Sequence, residues 1–180
     1  PLIFNDDDKP SSGAPLVNVD GGLFFERQTE LAGRGMVHTL EPRLYYLYSD
    51  FEDQSDQPDF DSAELTFSYN QLFRETRFSG HDRIDDATQM PRGFTTRLIG
   101  DSEGLEYLGA SIGQIFYFDE RRVRLHPLDP PMPQSGSEMA GELTFNPNRF
   151  VGVRGNLQWD PYSGNANAGN ILASYSRDNG

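Results

Sequence analysis

An all-β fold, an antiparallel up-and-down meander of about eight strands, is what this sequence predicts. Three observations carry the prediction. Apolar residues recur at every second position in successive segments, turn-rich stretches separate those segments, and none of them sustains a helical period. Composition agrees: only 36% of the 180 residues are apolar, yet 13 Phe, 8 Tyr and 1 Trp make the chain 12% aromatic. Disordered chains are poor in aromatics, so the low mean hydropathy of -0.64 points instead to strands with one apolar and one polar face. The length suits one domain with a real core.

Taken in order, residues 1–15 read as a loop, rich in Asp, Pro and Ser. The first strand alternates Val17, Val19, Gly21, Leu23 and Phe25 with Asn18, Asp20, Gly22, Phe24 and Glu26. The second puts Leu40, Pro42, Leu44, Tyr46 and Tyr48 on one face and Thr39, Glu41, Arg43 and Tyr45 on the other. The third sets Leu65, Phe67 and Tyr69 against Thr66 and Ser68. A fourth carries Met90, Phe94 and Leu98 opposite Gln89, Gly93, Thr95 and Arg97. The fifth alternates Leu108, Ala110, Ile112, Phe116 and Phe118 with Gly109, Ser111 and Gly113. Then come Met139, Gly141, Leu143 and Phe145; Val151, Val153, Leu157 and Trp159; and Ile171, Ala173 and Tyr175. All the strands fall between residues 16 and 177, and most have the roughly 9–12 residues that cross a bilayer when tilted.

Charge narrows the function. The net charge of -13, from 28 acidic and 15 basic residues, repels a phosphate backbone, so nucleic acid is not an expected partner. Lys9 is the sole lysine; arginine, with its planar fork, suits paired or phosphate-facing positions. Without cysteine, disulfides, thiol nucleophiles and Cys-ligated zinc are excluded within this span. No apolar run reaches the ~18 residues of a membrane helix, but β-barrel strands signal by alternation and stay possible. The polar face carries Asp20, Glu26, Glu41, Arg43, Arg97, Glu142, Arg154 and Asp160, mixed in sign. Two architectures fit: a sandwich whose charged face is solvated, or a barrel whose charged face lines a lumen and whose apolar face meets lipid. Short connections at 100–105 and 147–149 alternate with long ones at 73–86 and 119–137, as outer-membrane barrels do. The connection near 50–61 breaks the rule, being long on the short side.

Sites of chemistry are not evident. The acidic stretch Asp50, Glu52, Asp53, Asp56, Asp59 and Asp61 lacks the glycine and terminal Glu of an EF-hand loop and reads as a solvated loop. His38, His81 and His126 have no second ligand at metal-binding spacing. With no nucleophile elbow, P-loop or dinucleotide fingerprint, the expectation is no catalytic residue, no metal and no cofactor. Pro42 and Pro91 sit mid-strand, where each removes a ladder donor and marks a bulge or a weakly paired point.

Several stretches taken together resemble one family. HTLEPRLYYLY at 38–48, DQS at 53–55, LFRETRFSGHDRIDDATQ at 72–89 and ASIGQIFYF at 110–118, with GGLFFER at 21–27 and VGVRGNLQWD at 151–160, are similar to the barrel domain of the LptD (OstA/Imp) lipopolysaccharide-assembly proteins. The resemblance implies that the chain is an internal slice of a large Gram-negative outer-membrane β-barrel. It also implies a role in assembling lipopolysaccharide into the outer leaflet, by conduction through a polar lumen. The implied partners are lipopolysaccharide, outer-membrane lipid, an LptE-type plug lipoprotein, and periplasmic bridge proteins that act through an N-terminal domain this chain lacks. The tightest match, with Phe73, Arg74, Phe78, Gly80, Asp82 and Arg83, is expected to be a folded cap on the extracellular side. Its Phe rings would turn inward and Asp82 would pair with an arginine. The residues alone also permit a complete small eight-stranded barrel, or a soluble sandwich binding sugar or calcium.

Overall fold

The computed structural model describes residues 15–50, 63–64, 67–76, 78–79, 86–119 and 135–177. Its strands are β1 (Leu16–Gly22), β2 (Phe25–Leu31), β3 (Arg34–Ser49), β4 (Ala63–Glu64), β5 (Phe78–Ser79), β6 (Ala87–Gly100), β7 (Glu106–Tyr117), β8 (Gly136–Phe145), β9 (Val151–Asp160) and β10 (Asn165–Tyr175). All but β4 and β5 form one eight-stranded antiparallel sheet. Both β1 and β2 pair with β3, and β6 to β10 follow in sequence order. The path is open: β1 and β10 do not pair, as a slice of a wide barrel requires and a closed small barrel forbids. Among the described residues the other sheet is the two-stranded pair of β4 and β5, too small to form the second layer of a sandwich.

β1 and β2 are one strand in two pieces. Gly22 lies opposite Arg43 and Phe25 opposite Leu40, so the register is the same on both sides of the break. The break faces Pro42: the Leu23 N–H donates to the Pro42 carbonyl at 3.0 Å, and proline has no N–H to return the bond. Pro91 does the same between β3 and β6, where pairing skips Tyr45 and Tyr46 without a register shift. Both prolines therefore mark weakly paired points and not bulges. The bulges lie elsewhere, near Tyr107, Ile115 and Asn167.

One expected strand is absent from the sheet. The stretch read as a third strand becomes, from Tyr69 to Phe73, a short 3₁₀ helix, with Phe67 and Ser68 leading into it. Alternation of Leu65, Phe67 and Tyr69 is too short to distinguish a strand from a turn whose apolar residues face a neighbouring surface. The eighth strand of the sheet is supplied instead by the division of the first. Connections then sort with one exception, the turn at 161–164. Those at 32–33, 101–105 and 146–150 are short and lie at one end. At the other lie the long ones, 50–86 and 118–135, with the tight turn at 161–164. The acidic stretch and the cap belong to a single long connection.

The turns follow from local chemistry. Ala32 and Gly33 both take positive φ (52° and 74°), closing a two-residue hairpin in the primed geometry that suits twisted strands. Asp160 caps the last turn: its carboxylate accepts from the Tyr162 N–H at 2.8 Å, and Gly164 takes positive φ of 72°. Asn148 accepts from the Phe150 and Val151 N–H groups at 2.9 and 3.0 Å.

Burial is inverted relative to a soluble sheet. On the apolar face Leu44, Ile112, Leu143, Leu157 and Ile171 are exposed, Ile171 by 82%. The buried cluster Leu72, Ile115 and Ala140, and beside it Tyr45 and Leu47, lies on the polar face beneath the 3₁₀ helix. Glycines make the seat. Gly93 and Gly113 are direct cross-strand partners; a Cβ on Gly93 would lie 2.5 Å from the Phe73 ring, and one on Gly113 would lie 2.5 Å from Leu72. Gly113→Ala is expected to loosen the helix at a cost of about 1–3 kcal/mol of overpacking. Gly21→Ala, which meets nothing within 4 Å, serves as the neutral control in thermal unfolding. Ala32→Asn should raise stability by about 0.5–1 kcal/mol in the same measurement, since asparagine tolerates the left-handed conformation better than alanine.

Candidate functional site: the polar face and its inserted segment

Strand parity puts one set of side chains together. Asp20 lies opposite Tyr45, Glu26 opposite Thr39, and Arg97 opposite Thr39 on the other side. Glu142 lies opposite Ser111 and Asn156, and Arg154 opposite Thr144. With Glu41, Arg43 and Asp160 these residues share the face that carries the 3₁₀ helix. All eight expected polar-face residues are thus on one side of the sheet.

They divide by what they touch. Arg43 grips Asp20 with two bonds, Nε at 3.0 Å and a terminal nitrogen at 2.5 Å, tying β3 to β1. Its guanidinium also lies over the Phe73 ring, 4.2 Å from the centroid. Arg97 reaches both oxygens of Glu41, at 2.9 and 3.1 Å, and Glu106 at 3.5 Å, linking β3, β6 and β7. Thr39 adds a hydroxyl to Glu41 at 2.8 Å. These pairs are half-exposed, so each contributes only about 0.2–1 kcal/mol. What they fix is register and side-chain orientation. Asp160 is absorbed by its turn. Among the described residues Glu26, Glu142 and Arg154 join no ion pair.

The inserted segment is held at both ends. Leu72 is fully buried among Ile115, Ala140 and Gly113. Thr95 donates to the Tyr69 hydroxyl at 3.0 Å and shares a 2.9 Å bond with Ser111, so a polar chain crosses the helix, β6 and β7. Gln158 of β9 donates to the Phe67 carbonyl, and Asn18 of β1 donates to Glu75 at 2.6 Å. The segment thus spans the polar face from β1 to β9. A cavity of about 220 Å³ stays open beside it, walled by Phe67, Ser68, Glu142, Asn156, Gln158 and Asn170. Of the six residues expected in the cap, Phe73 turns onto the polar face, while Arg74 is exposed at the end of the helix. The Phe78 side chain, Gly80, Asp82 and Arg83 lie outside the described residues.

Sequence reasoning missed Tyr69, Leu72, Thr95, Ser111 and Gln158 as a docking set. The available signal was Gly93 facing Gly113: two adjacent glycines on the polar face leave a trough that something must fill. No group of three or more potential metal ligands occurs among the described residues.

Comparison with known proteins identifies a family. The family model described as LPS transport system D matches residues 4–180. The protein named LPS-assembly protein LptD from Nitrosococcus oceani is 43% identical over 166 residues, covering 92% of this chain and 22% of that protein. Its namesake from Pseudomonas aeruginosa is 40% identical over 187 residues, covering 94% and 20%. A third from Xanthomonas oryzae pv. oryzae is 37% identical over 180 residues, covering 96% and 22%. The chain spans about a fifth of the length of these curated relatives. Matched along nearly its whole length, this open, two-faced sheet belongs to the LptD family.

Proposed function

We propose that this chain is a section of the wall of an outer-membrane β-barrel that assembles lipopolysaccharide into the outer leaflet. In this reading the apolar face meets membrane lipid. The polar face lines the lumen through which the sugar and phosphate portion passes. The observation that supports it best is the inverted burial: side chains such as Leu143 and Leu157 are half exposed along one face, while polar side chains and a docked segment cover the other. In water such a face would drive aggregation; in lipid it is the stable surface. β3, with 16 residues, and β6, with 14, are long enough to cross a bilayer at a tilt.

The lumen would work by conduction and not by chemistry. Arg43 and Arg97 are engaged by carboxylates, so they present little free positive charge to an anionic sugar–phosphate. Glu142 and Arg154 face open space and stand where a moving substrate or an LptE-type plug would touch the wall. The segment 67–76, seated on glycines, narrows the lumen from the long-loop end. Delivery by periplasmic bridge proteins would use a part of the protein outside this chain.

Two measurements test the reading. In the full-length protein, a membrane-impermeant maleimide should label Ser111→Cys, which faces the lumen, and leave Ile112→Cys, its lipid-facing neighbour, unlabelled above background. Equal labelling would reject the assignment of faces. Leu72→Ala removes the buried anchor of the inserted segment, worth about 2–5 kcal/mol. Cells carrying it should admit large antibiotics while surface lipopolysaccharide is kept; unchanged impermeability would leave the segment purely structural.

A further inference from the structure

Toward its long-loop end the apolar face carries an arginine where lipid is expected; Arg27 and Arg34 share that face nearer the short-loop end. Arg92 of β6 is exposed on that face, directly between Leu44 of β3 and Gln114 of β7. Among the described residues no carboxylate pairs with it. Its guanidinium turns toward the long-loop end of the sheet and lies over the Phe116 ring, 4.4 Å from the centroid. An arginine on a lipid-facing strand costs about 2–4 kcal/mol at the bilayer midplane and close to nothing at the interface. The tilt toward Phe116, with Tyr46 on the adjacent strand and Trp159 three strands along the same row, is the snorkelling that puts such a charge at headgroup depth.

A second feature lies beside it. On the same face glycines alternate with large aliphatic residues in both directions: Ile112 faces Gly141, Gly141 faces Leu157, and Leu157 faces Gly169. In the next row Leu143 faces Gly155. The missing side chains leave a depression of about 700 Å³ with aliphatic walls. It starts two strands from Arg92 and leads away from the long-loop end. A planar cation at headgroup depth beside a smooth apolar trough is complementary to a phosphate that carries acyl chains.

We propose that Arg92 and the glycine trough form a binding site on the outer wall for one phosphorylated glycolipid of the leaflet at the long-loop end. Arg92 meets the phosphate through its fork, and Gly141, Gly155 and Gly169 admit an acyl chain against the backbone. This site is separate from the lumen: a lipid held there would pack against the wall as a resident neighbour. The inference rests on the lipid-facing assignment of this face proposed above.

Native mass spectrometry of the full-length protein in detergent, with bis-phosphorylated lipid A as the probe, tests it. Arg92→Gln should lower retention of one lipid A copy about tenfold, the scale of a lost charge-assisted contact. Arg92→Lys should fall between it and wild type. Gly155→Leu, which fills the trough and leaves the charge, should also lower retention. Heat-modifiable gel mobility confirms that each variant folds. Retention by Arg92→Gln equal to wild type would overturn the site. So would equal retention of phosphatidylethanolamine by wild type, since that result describes a lipid belt that does not distinguish an anionic phosphorylated glycolipid from a zwitterionic phospholipid. If Ile112→Cys stays protected from maleimide in either case, only this inference fails; if it labels, the lipid-facing reading fails first.

Discussion

The unbroken register of β3 is what the rest of the structure depends on. With 16 residues it is the longest strand, and it alone pairs with β1, β2 and β6. Because side chains alternate strictly along a strand, its odd positions from Thr39 to Ser49 and its even positions from Leu40 to Tyr48 define two faces. Every later strand inherits them through cross-strand pairing. A slip by one residue would move Leu44 and Tyr46 to the polar side and Arg43 and Glu41 to the apolar side, so register is strongly specified. That explains why two prolines are tolerated, one within this strand and one in its neighbour β6. Pro42 and Pro91 each remove ladder bonds but leave the register unchanged on either side, and the ladder beyond each gap restores alignment. In a lipid-facing wall such gaps are costly, because no water is there to satisfy the freed carbonyl. They are survivable where a single step is lost.

Ion pairs reinforce this register more than they stabilise the fold. Arg43–Asp20, Arg97–Glu41 and Arg97–Glu106 each join different strands at facing or diagonal positions. Their half-exposed setting limits the energy, but a wrong register would leave the carboxylates and guanidinium groups facing the wrong neighbours. The larger energetic contribution on this face comes from Leu72 and its partners. Burying a leucine side chain contributes about 1.5–3 kcal/mol, and here it packs beside Tyr69, the first member of the Tyr69–Thr95–Ser111 chain of hydroxyls. The glycines that admit Leu72, and those that open the trough on the other face, act alike: absent side chains shape both surfaces of a sheet only one layer thick.

Much of this was legible in the residues. Alternation alone determined the all-β class, the antiparallel order, the centres of seven strands and the face of all eight charged residues, because a period of two is a local property of the extended chain. Asp160 was placed on the correct face; its use as a turn cap depended on the Pro161–Gly164 geometry that follows it. The hairpin at Ala32–Gly33 was not legible, since alanine gives no sign of the left-handed conformation it adopts there. The segment 65–69 was misread as a strand for a related reason. Phe67 and Tyr69 pack on a surface that lies far away in sequence, and a short alternating run carries no information about what it contacts.

The family, too, could be read from the sequence, through HTLEPRLYYLY and the run at 72–89. Only the tertiary structure decided three things. It merged two apparent loops into one connection at 50–86, which removed the exception at 50–61 and left the turn at 161–164 as the short connection at the long-loop end. It seated Tyr69–Phe73 on Gly93 and Gly113, residues separated from that helix by 20 or more positions and adjacent to each other only by pairing. And it decided between the open slice that the family resemblance implies and the closed small barrel that the residues alone also permit: β1 and β10 do not pair with each other. The physical reason is the same in each case. Alternation and turn chemistry act within a few residues, whereas docking, parity of loops and closure are set by which strands become neighbours, and that is a property of the whole sheet.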